Sequence, residues 1–274
     1  MSEQNHPTLP LPGSRHYKAF VGPVESYDLI SAIQFNLLTS LGLRQEHYLL
    51  DIGCGSLRGG KLFIPYLLPG RYFGIEPEQW LIEEGIKNEL GNDIISIKKP
   101  TFNNSRNFAL SIFDKQFDFI LAQSIFSHAS SPQIEQCLSE ARKVMKKSSI
   151  FAATFVEGAQ NYTGKAWLYP NCTTYTLDYV TNLVEKSGLS CKPINWPHPT
   201  LQRWILICDP TNDYNAPSLN DSARLLQMEA ELKFCKERIL KIKSHPYVKF
   251  GLKVNCLISQ MRQFLARKSN RDNA

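Results

Sequence analysis

The chain has 274 residues, 43% of them apolar, and a formal charge of +6, enough for one sizeable core with appendages. No run approaches the ~18 consecutive apolar residues of a membrane span, and the polar, proline-containing start lacks the apolar centre of a secretory signal. Seven cysteines without a CxxC pair point to free thiols in a reducing cytosol, with neither a disulfide framework nor a metal site.

Residues 1–44 are predicted to form an N-terminal arm, with a helix over 24–41 whose apolar face holds Ile30, Ile33, Leu37, Leu38 and Leu41. Strands and helices then alternate. The run 48–52 is a short buried strand before glycines, 61–68 a helix closed by Pro69-Gly70, and 72–76 a second strand. A helix over 80–90 ends at Gly91, and the run 94–98 is expected to be the third strand. Residues 117–123 are the fourth strand, and 131–145 a helix with Pro132 early in it, where proline is tolerated. A fifth strand at 149–155 and a helix at 176–187 closed by Gly188 follow, then two final strands at 189–195 and 203–208 around a proline-rich turn. This alternation predicts a doubly wound α/β fold: a mostly parallel seven-stranded sheet over residues 45–210, with a helical arm before it and a helical tail, 217–274, after it.

Such sheets bind ligands beyond the carboxyl ends of their strands. There the segment Asp51-Ile52-Gly53-Cys54-Gly55 runs from a strand into glycines and a helix start. Glycines let the backbone approach a ligand closely, and Glu76, ending the second strand 21 residues after Gly55, is positioned to accept both hydroxyls of a ribose. The third glycine, Gly59, comes one residue too late for a dinucleotide fingerprint. Asp51 would repel a pyrophosphate and favour the ammonium and sulfonium of S-adenosylmethionine (SAM).

These residues resemble motif I of the class I SAM-dependent methyltransferases. Tyr72–Pro77 resembles the acidic motif after it, and Phe117–His128 the fourth-strand motif and its loop. The likeness covers about residues 45–208. It implies that Asp51 lies near the methionine amino end, Gly53, Cys54 and Gly55 against the cofactor, and Glu76 with Pro77 at the ribose. Gln123 and Ser124 would line the methionine portion. Where many members carry an acid for the adenine amino group, this chain has Asn107-Phe108, and the asparagine oxygen can do the same work. Arg58 could hold the methionine carboxylate, since arginine suits bidentate carboxylate recognition, or be a surface residue near a helix start.

His128, in the loop after the fourth strand, is the candidate base for an attacking hydroxyl or amine; it could instead cap the following helix. His198 has a similar geometric claim, and Tyr17 and Tyr27 are candidates to close the pocket. An aromatic insert at 157–175 follows the fifth strand and could cover the substrate. The expected activity is methyl transfer to a small-molecule or glycan acceptor, at oxygen. The alternatives are a nucleic-acid or protein methyltransferase and a non-catalytic scaffold of the same fold.

The charge is uneven. Residues 233–274 hold 11 Lys/Arg against Glu237 and Asp272, leaving the rest of the chain at −3, so no body-wide basic patch for nucleic acid is expected. In the tail, Leu225, Met228, Leu232, Cys235, Ile239 and Ile242 fall at heptad a and d positions, with Glu229, Glu231, Lys236 and Arg238 at e and g. This stripe fits a short coiled coil or a helix packed on its own domain. Beyond Pro246, an apolar stripe from Phe250 to Leu265 beside Lys249, Lys253, Arg262, Arg267 and Lys268 fits a basic amphipathic helix. Residues 220–268 are therefore expected to contact a membrane surface or self-associate, in a cytoplasmic protein that can lie against the inner face of a membrane.

Overall fold

The computed structural model describes residues 9–212 and 221–246. The stripe from Phe250 to Leu265 lies outside the described residues. The chain divides into two compact units, Met1–Gln227 and Met228–Ala274.

The first unit contains a seven-stranded sheet in the order β3-β2-β1-β4-β5-β7-β6. Its strands are β1 (Leu49–Ile52), β2 (Tyr72–Ile75), β3 (Thr101–Asn103), β4 (Phe117–Ala122), β5 (Met145–Phe155), β6 (Ser190–Ile194) and β7 (Arg203–Cys208). The first five run parallel; β7 pairs antiparallel to both β5 and β6. The helices are α1 (Tyr17–Phe20), α2 (Tyr27–Ser40), α3 (Gly60–Tyr66), α4 (Gln79–Gly85), α5 (Asn92–Lys98), α6 (Ser131–Val144), α7 (Leu177–Lys186) and α8 (Asp221–Ser244).

The inner strands β1, β2, β4 and β7 are mostly apolar because both faces of the sheet are covered there. Their side chains divide by the two-residue period. Leu50, Ile52, Ile120 and Ala122 enter one core with Phe126, Phe151 and the inner faces of α6 and α7. Leu49, Phe119 and Leu121 enter the other, with Leu37 and Leu38 of α2 and Phe63 of α3. Trp204, wholly buried in the second core, donates its indole N–H to Pro197 O at 3.2 Å. Two helix starts are fixed by side chains. Gln133 Oε1 accepts the Ser130 N–H ahead of α6 at 2.9 Å, and Thr176 Oγ1 accepts the Tyr179 N–H in α7 at 3.2 Å.

One expected element is different. Residues 94–98 are not a strand but the body of α5, and the third strand is Thr101–Asn103. Short apolar runs fit either structure. Here Gly91, with φ 83°, turns the chain into a helix that ends at Lys99, in the left-handed region at φ 50°. Of the apolar side chains of α5, Ile94 and Ile95 are half-buried and Ile97 is exposed, so they do not provide the two-sided burial of an inner strand.

Chain order reverses between β1 and β4: β2 and β3 lie on one side of β1, β4 and β5 on the other. The connections leaving β1 and β4 therefore part above the sheet and open a crevice. Trp204→Ala should cost about 3–5 kcal/mol of folding stability through the cavity it leaves, measured by urea unfolding; a loss below about 1 kcal/mol would contradict this packing.

Candidate functional site

A cavity of about 650 Å³ occupies the crevice, within the range of pockets that hold small ligands. Gly53, Gly55 and Arg58 line it from the β1–α3 loop, Glu76 and Pro77 from the end of β2, Phe108 from the loop after β3, and Gln123, Ser124 and His128 from the end of β4. The backbone is strained where it meets this space. Phe108 and Ser124, both in the lining, take positive φ at 53° and 59°, as does buried Leu57 beside Arg58 at 59°, a conformation that non-glycine residues hold only when their surroundings impose it. Gly53 has φ 68°, and a Cβ there would run into Ile125 Cδ1.

Glu76 is buried, and each carboxylate oxygen already accepts a backbone N–H. Oε2 takes that of Gly55 and Oε1 that of Glu78, both at 2.9 Å. Burial pushes its pKa up to about 7, against the lowering effect of those two donors. Asp51 lies deeper. It lines a recess of about 20 Å³ behind the glycine loop, shared with Gly53, Cys54, Gly55, Arg58 and Gln123. Tyr72 donates its hydroxyl to Asp51 Oδ2 at 2.7 Å, and burial raises the acid to about 6. Cys54 is buried and lines this recess, and burial raises its thiol pKa.

Arg58 connects the parts. Its guanidinium, 7% exposed, donates to Val21 O of the N-terminal arm at 2.5 Å and to Gln123 Oε1 at the end of β4. Burial lowers its pKa to about 10. Among the described residues no carboxylate lies within ion-pair distance of it. Because Gln123 Oε1 faces Arg58, its Nε2 points the other way and donates to Ser124 Oγ at 2.7 Å and His198 Nε2 at 2.8 Å. His198 therefore accepts at Nε2 and turns its Nδ1 toward Thr200 Oγ1, 3.0 Å away. It is buried and its pKa falls to about 3, through burial and then the Arg58 charge. That engagement removes His198 as a candidate base.

His128 is different. Its Nδ1 lies 3.0 Å from Leu168 O and 2.8 Å from Asn171 O. Carbonyl oxygens only accept, so Nδ1 carries the proton and Nε2 keeps its lone pair. Burial lowers the pKa, opposed by those two bonds. Both carbonyls belong to the insert, which also brings Trp167, Tyr169, Pro170 and Cys172 to the cavity wall. The Tyr169 hydroxyl is buried with no hydrogen-bond partner among the described residues.

Three expectations change here. Asn107 is exposed, its Oδ1 accepts the Ser105 hydroxyl at 2.6 Å, and it does not line the cavity; Ser105, Arg106 and Phe108 do. Tyr17 and Tyr27 do not close the pocket. Tyr17 donates to Glu89 Oε1 at 2.9 Å, and buried Tyr27 to Ser56 O at 2.9 Å. The arm reaches the cavity instead through Phe20, Val21, Gly22 and Pro23. Tyr169, Thr200 and Gln202 were not singled out from the sequence, since nothing in their spacing sets them apart from loop residues.

Residues 50–153 match the sequence profile described as a methyltransferase domain. These residues form a class I, Rossmann-like SAM-dependent methyltransferase domain. Its cofactor is SAM.

Solved structures share the fold at low identity. Magnesium protoporphyrin IX methyltransferase from Synechocystis PCC 6803, with bound S-adenosylhomocysteine (SAH), is 12% identical; the match covers 69% of this chain and 88% of that one, with a TM-score of 0.51. The glycopeptide N-methyltransferase MtfA, complexed with SAH, is 13% identical over 67% of this methyltransferase and 90% of its own chain, TM-score 0.50. Among the described residues no helix is long and apolar enough to cross a membrane.

The glycine loop gives the next test. Gly53→Ala should lose at least ~1 kcal/mol, because it adds a Cβ at positive φ against Ile125. Thermal unfolding should register a drop of a few degrees; an unchanged midpoint would show that the loop tolerates a side chain.

Proposed function

We propose that this methyltransferase, acting through a catalytic domain of residues 45–210, methylates a hydroxyl oxygen of a neutral small-molecule or glycan acceptor, with His128 receiving the proton. The observation that carries this reading is the His128 tautomer. Two carbonyls fix the proton on Nδ1, and Nε2 has no hydrogen bond to any described residue. A neutral imidazole held in this way is suited to take a proton from an attacking hydroxyl.

SAM, when bound, supplies a methyl group already activated on a sulfonium. The work left to the protein is holding, aligning and excluding water. Glu76 is assigned to the ribose hydroxyls, with Gly53 and Gly55 giving the backbone close approach. Pro77 and Phe108 flank the base. Arg58 and Tyr169 are assigned to the carboxylate of the methionine end: among the described residues one is a buried cation without an ion pair, the other a buried hydroxyl without a partner. Asp51 answers the ammonium from the recess behind the loop, and Gln123 and Ser124 complete that wall. Cys54 packs behind it.

The lining also favours a neutral acceptor. Arg58, Glu76, Glu78 and Arg106, its charged members, come from the β1–α3 loop and the loops after β2 and β3. Arg106 is paired with Glu78 at 3.0 Å. The remaining walls present Phe20, Trp167 and Tyr169, faces on which a ring can stack, with Thr200 and Gln202 for hydroxyls. A nucleic-acid substrate would need unpaired cations at the mouth to meet phosphates.

The binding assignments are tested by calorimetry with SAH. Glu76→Ala should weaken binding about 10- to 100-fold, the loss expected for hydrogen bonds to a charged group. Tyr169→Phe should weaken SAH severalfold yet leave 5′-methylthioadenosine, which lacks the amino-acid end, unaffected; equal effects on both ligands would refute the carboxylate assignment. SAH affinity should also fall as pH drops from 8 through about 7 and then about 6, because Glu76 and Asp51 take up protons that the ligand must expel. Glu76→Gln should lack the upper step. With SAM and a panel of glycosides and phenols, His128→Gln should lower kcat about 10²- to 10⁴-fold with SAH affinity intact, and an unchanged kcat would remove His128 from the chemistry.

A further inference from the structure

The second compact unit holds most of helix α8, on which the proposed chemistry places no demand. On this helix Met228, Leu232, Ile239 and Ile242 are 58%, 55%, 49% and 55% exposed, and Cys235, on the same stripe, is exposed as well. They occupy successive a and d positions of a heptad repeat. A stripe of this kind left in water is the seam along which two helices close. Phe234 and Leu240 are exposed off the stripe.

We infer that α8 pairs with α8 of a second copy of this chain as a parallel, in-register coiled coil. Charge selects both the occupant and the direction. In a parallel pair, the g position of one helix faces the e position five residues further along its partner; by sequence this matches Arg224 with Glu229 and Glu231 with Lys236 of the other copy, two attractive pairs against one repulsive pair, Arg238 with Lys243. An antiparallel pair built on the same stripe would set Glu231 against Glu231 and Lys236 against Lys236. It would also place Leu232, not Cys235, opposite Cys235. Flanks of mixed sign, with Glu229 and Glu231 beside Lys236 and Arg238 at the e and g positions, suit a protein partner better than an anionic lipid surface, which draws on a uniformly basic face. The parallel arrangement brings the two Cys235 thiols together at the d layer across the two-fold axis.

The test uses the full chain in sedimentation equilibrium at increasing concentration. The wild type should be a dimer, and Leu232→Lys/Ile239→Lys should be a monomer with unchanged SAH binding. Glu231→Lys should weaken the dimer, and Glu231→Lys/Lys236→Glu should restore it. Diamide, which takes two electrons and two protons as two thiols become one disulfide, should link the wild-type chains covalently but not those of Cys235→Ser. A monomeric wild type overturns the inference, whether or not it binds vesicles of anionic phospholipid. So does a dimer that survives the double lysine variant. A dimer that Leu232→Lys/Ile239→Lys abolishes but that diamide cannot link through Cys235 overturns the parallel register. None of these outcomes depends on which acceptor the enzyme methylates.

Discussion

The interaction on which the site depends is the buried guanidinium of Arg58. It holds the N-terminal arm through Val21 O and the end of β4 through Gln123 Oε1. By fixing one face of the Gln123 amide it fixes the other, and with it Ser124 and His198. Four separate stretches of chain are thus set against one cavity by a single cation. A buried charge is costly unless polar groups or counter-charges answer it. Asp51 provides part of that answer through space, and in our proposal the cofactor carboxylate provides the rest.

The same economy governs the acids. Asp51 and Glu76 are buried at the ends of neighbouring strands, and burial raises both toward neutrality. Their anionic forms are kept available by Tyr72 in one case and two backbone N–H groups in the other. Carboxylates held so close to their titration range gain most from a ligand that brings cationic or hydroxyl donors, which is why a nucleoside with an ammonium end fits them better than a pyrophosphate.

The half of the site built by local sequence was legible beforehand. Asp51, the glycines and Glu76 announce themselves because a strand, a tight loop and a spaced acid each demand particular residue types within a few positions. The alternation of apolar runs likewise gave the sheet, except at 94–98, where three isoleucines fit a strand as well as the helix that Gly91 begins. Asn107 was named from its place in the chain, and only its exposure shows that it faces away from the cavity. Tyr169 and the His128 tautomer could not be read at all. They arise from contacts 40 and 43 residues apart in the chain, set by how the insert returns over the sheet. The arm's role was misplaced onto Tyr17 and Tyr27 for the same reason, since their hydroxyls find partners in Glu89 and Ser56 that only the folded chain supplies.

The central claim is that the crevice between β1 and β4 receives SAM with its ribose at Glu76 and its carboxylate at Arg58 and Tyr169. A crystal structure of the SAH complex tests this most directly. The account predicts both ribose hydroxyls on the Glu76 carboxylate, the amino-acid carboxylate within hydrogen-bond distance of the Arg58 guanidinium and the Tyr169 hydroxyl, and His128 Nε2 facing the space beside the sulfur. SAH bound with its carboxylate away from Arg58, or with His128 turned so that Nδ1 leaves the Leu168 and Asn171 carbonyls, would contradict it.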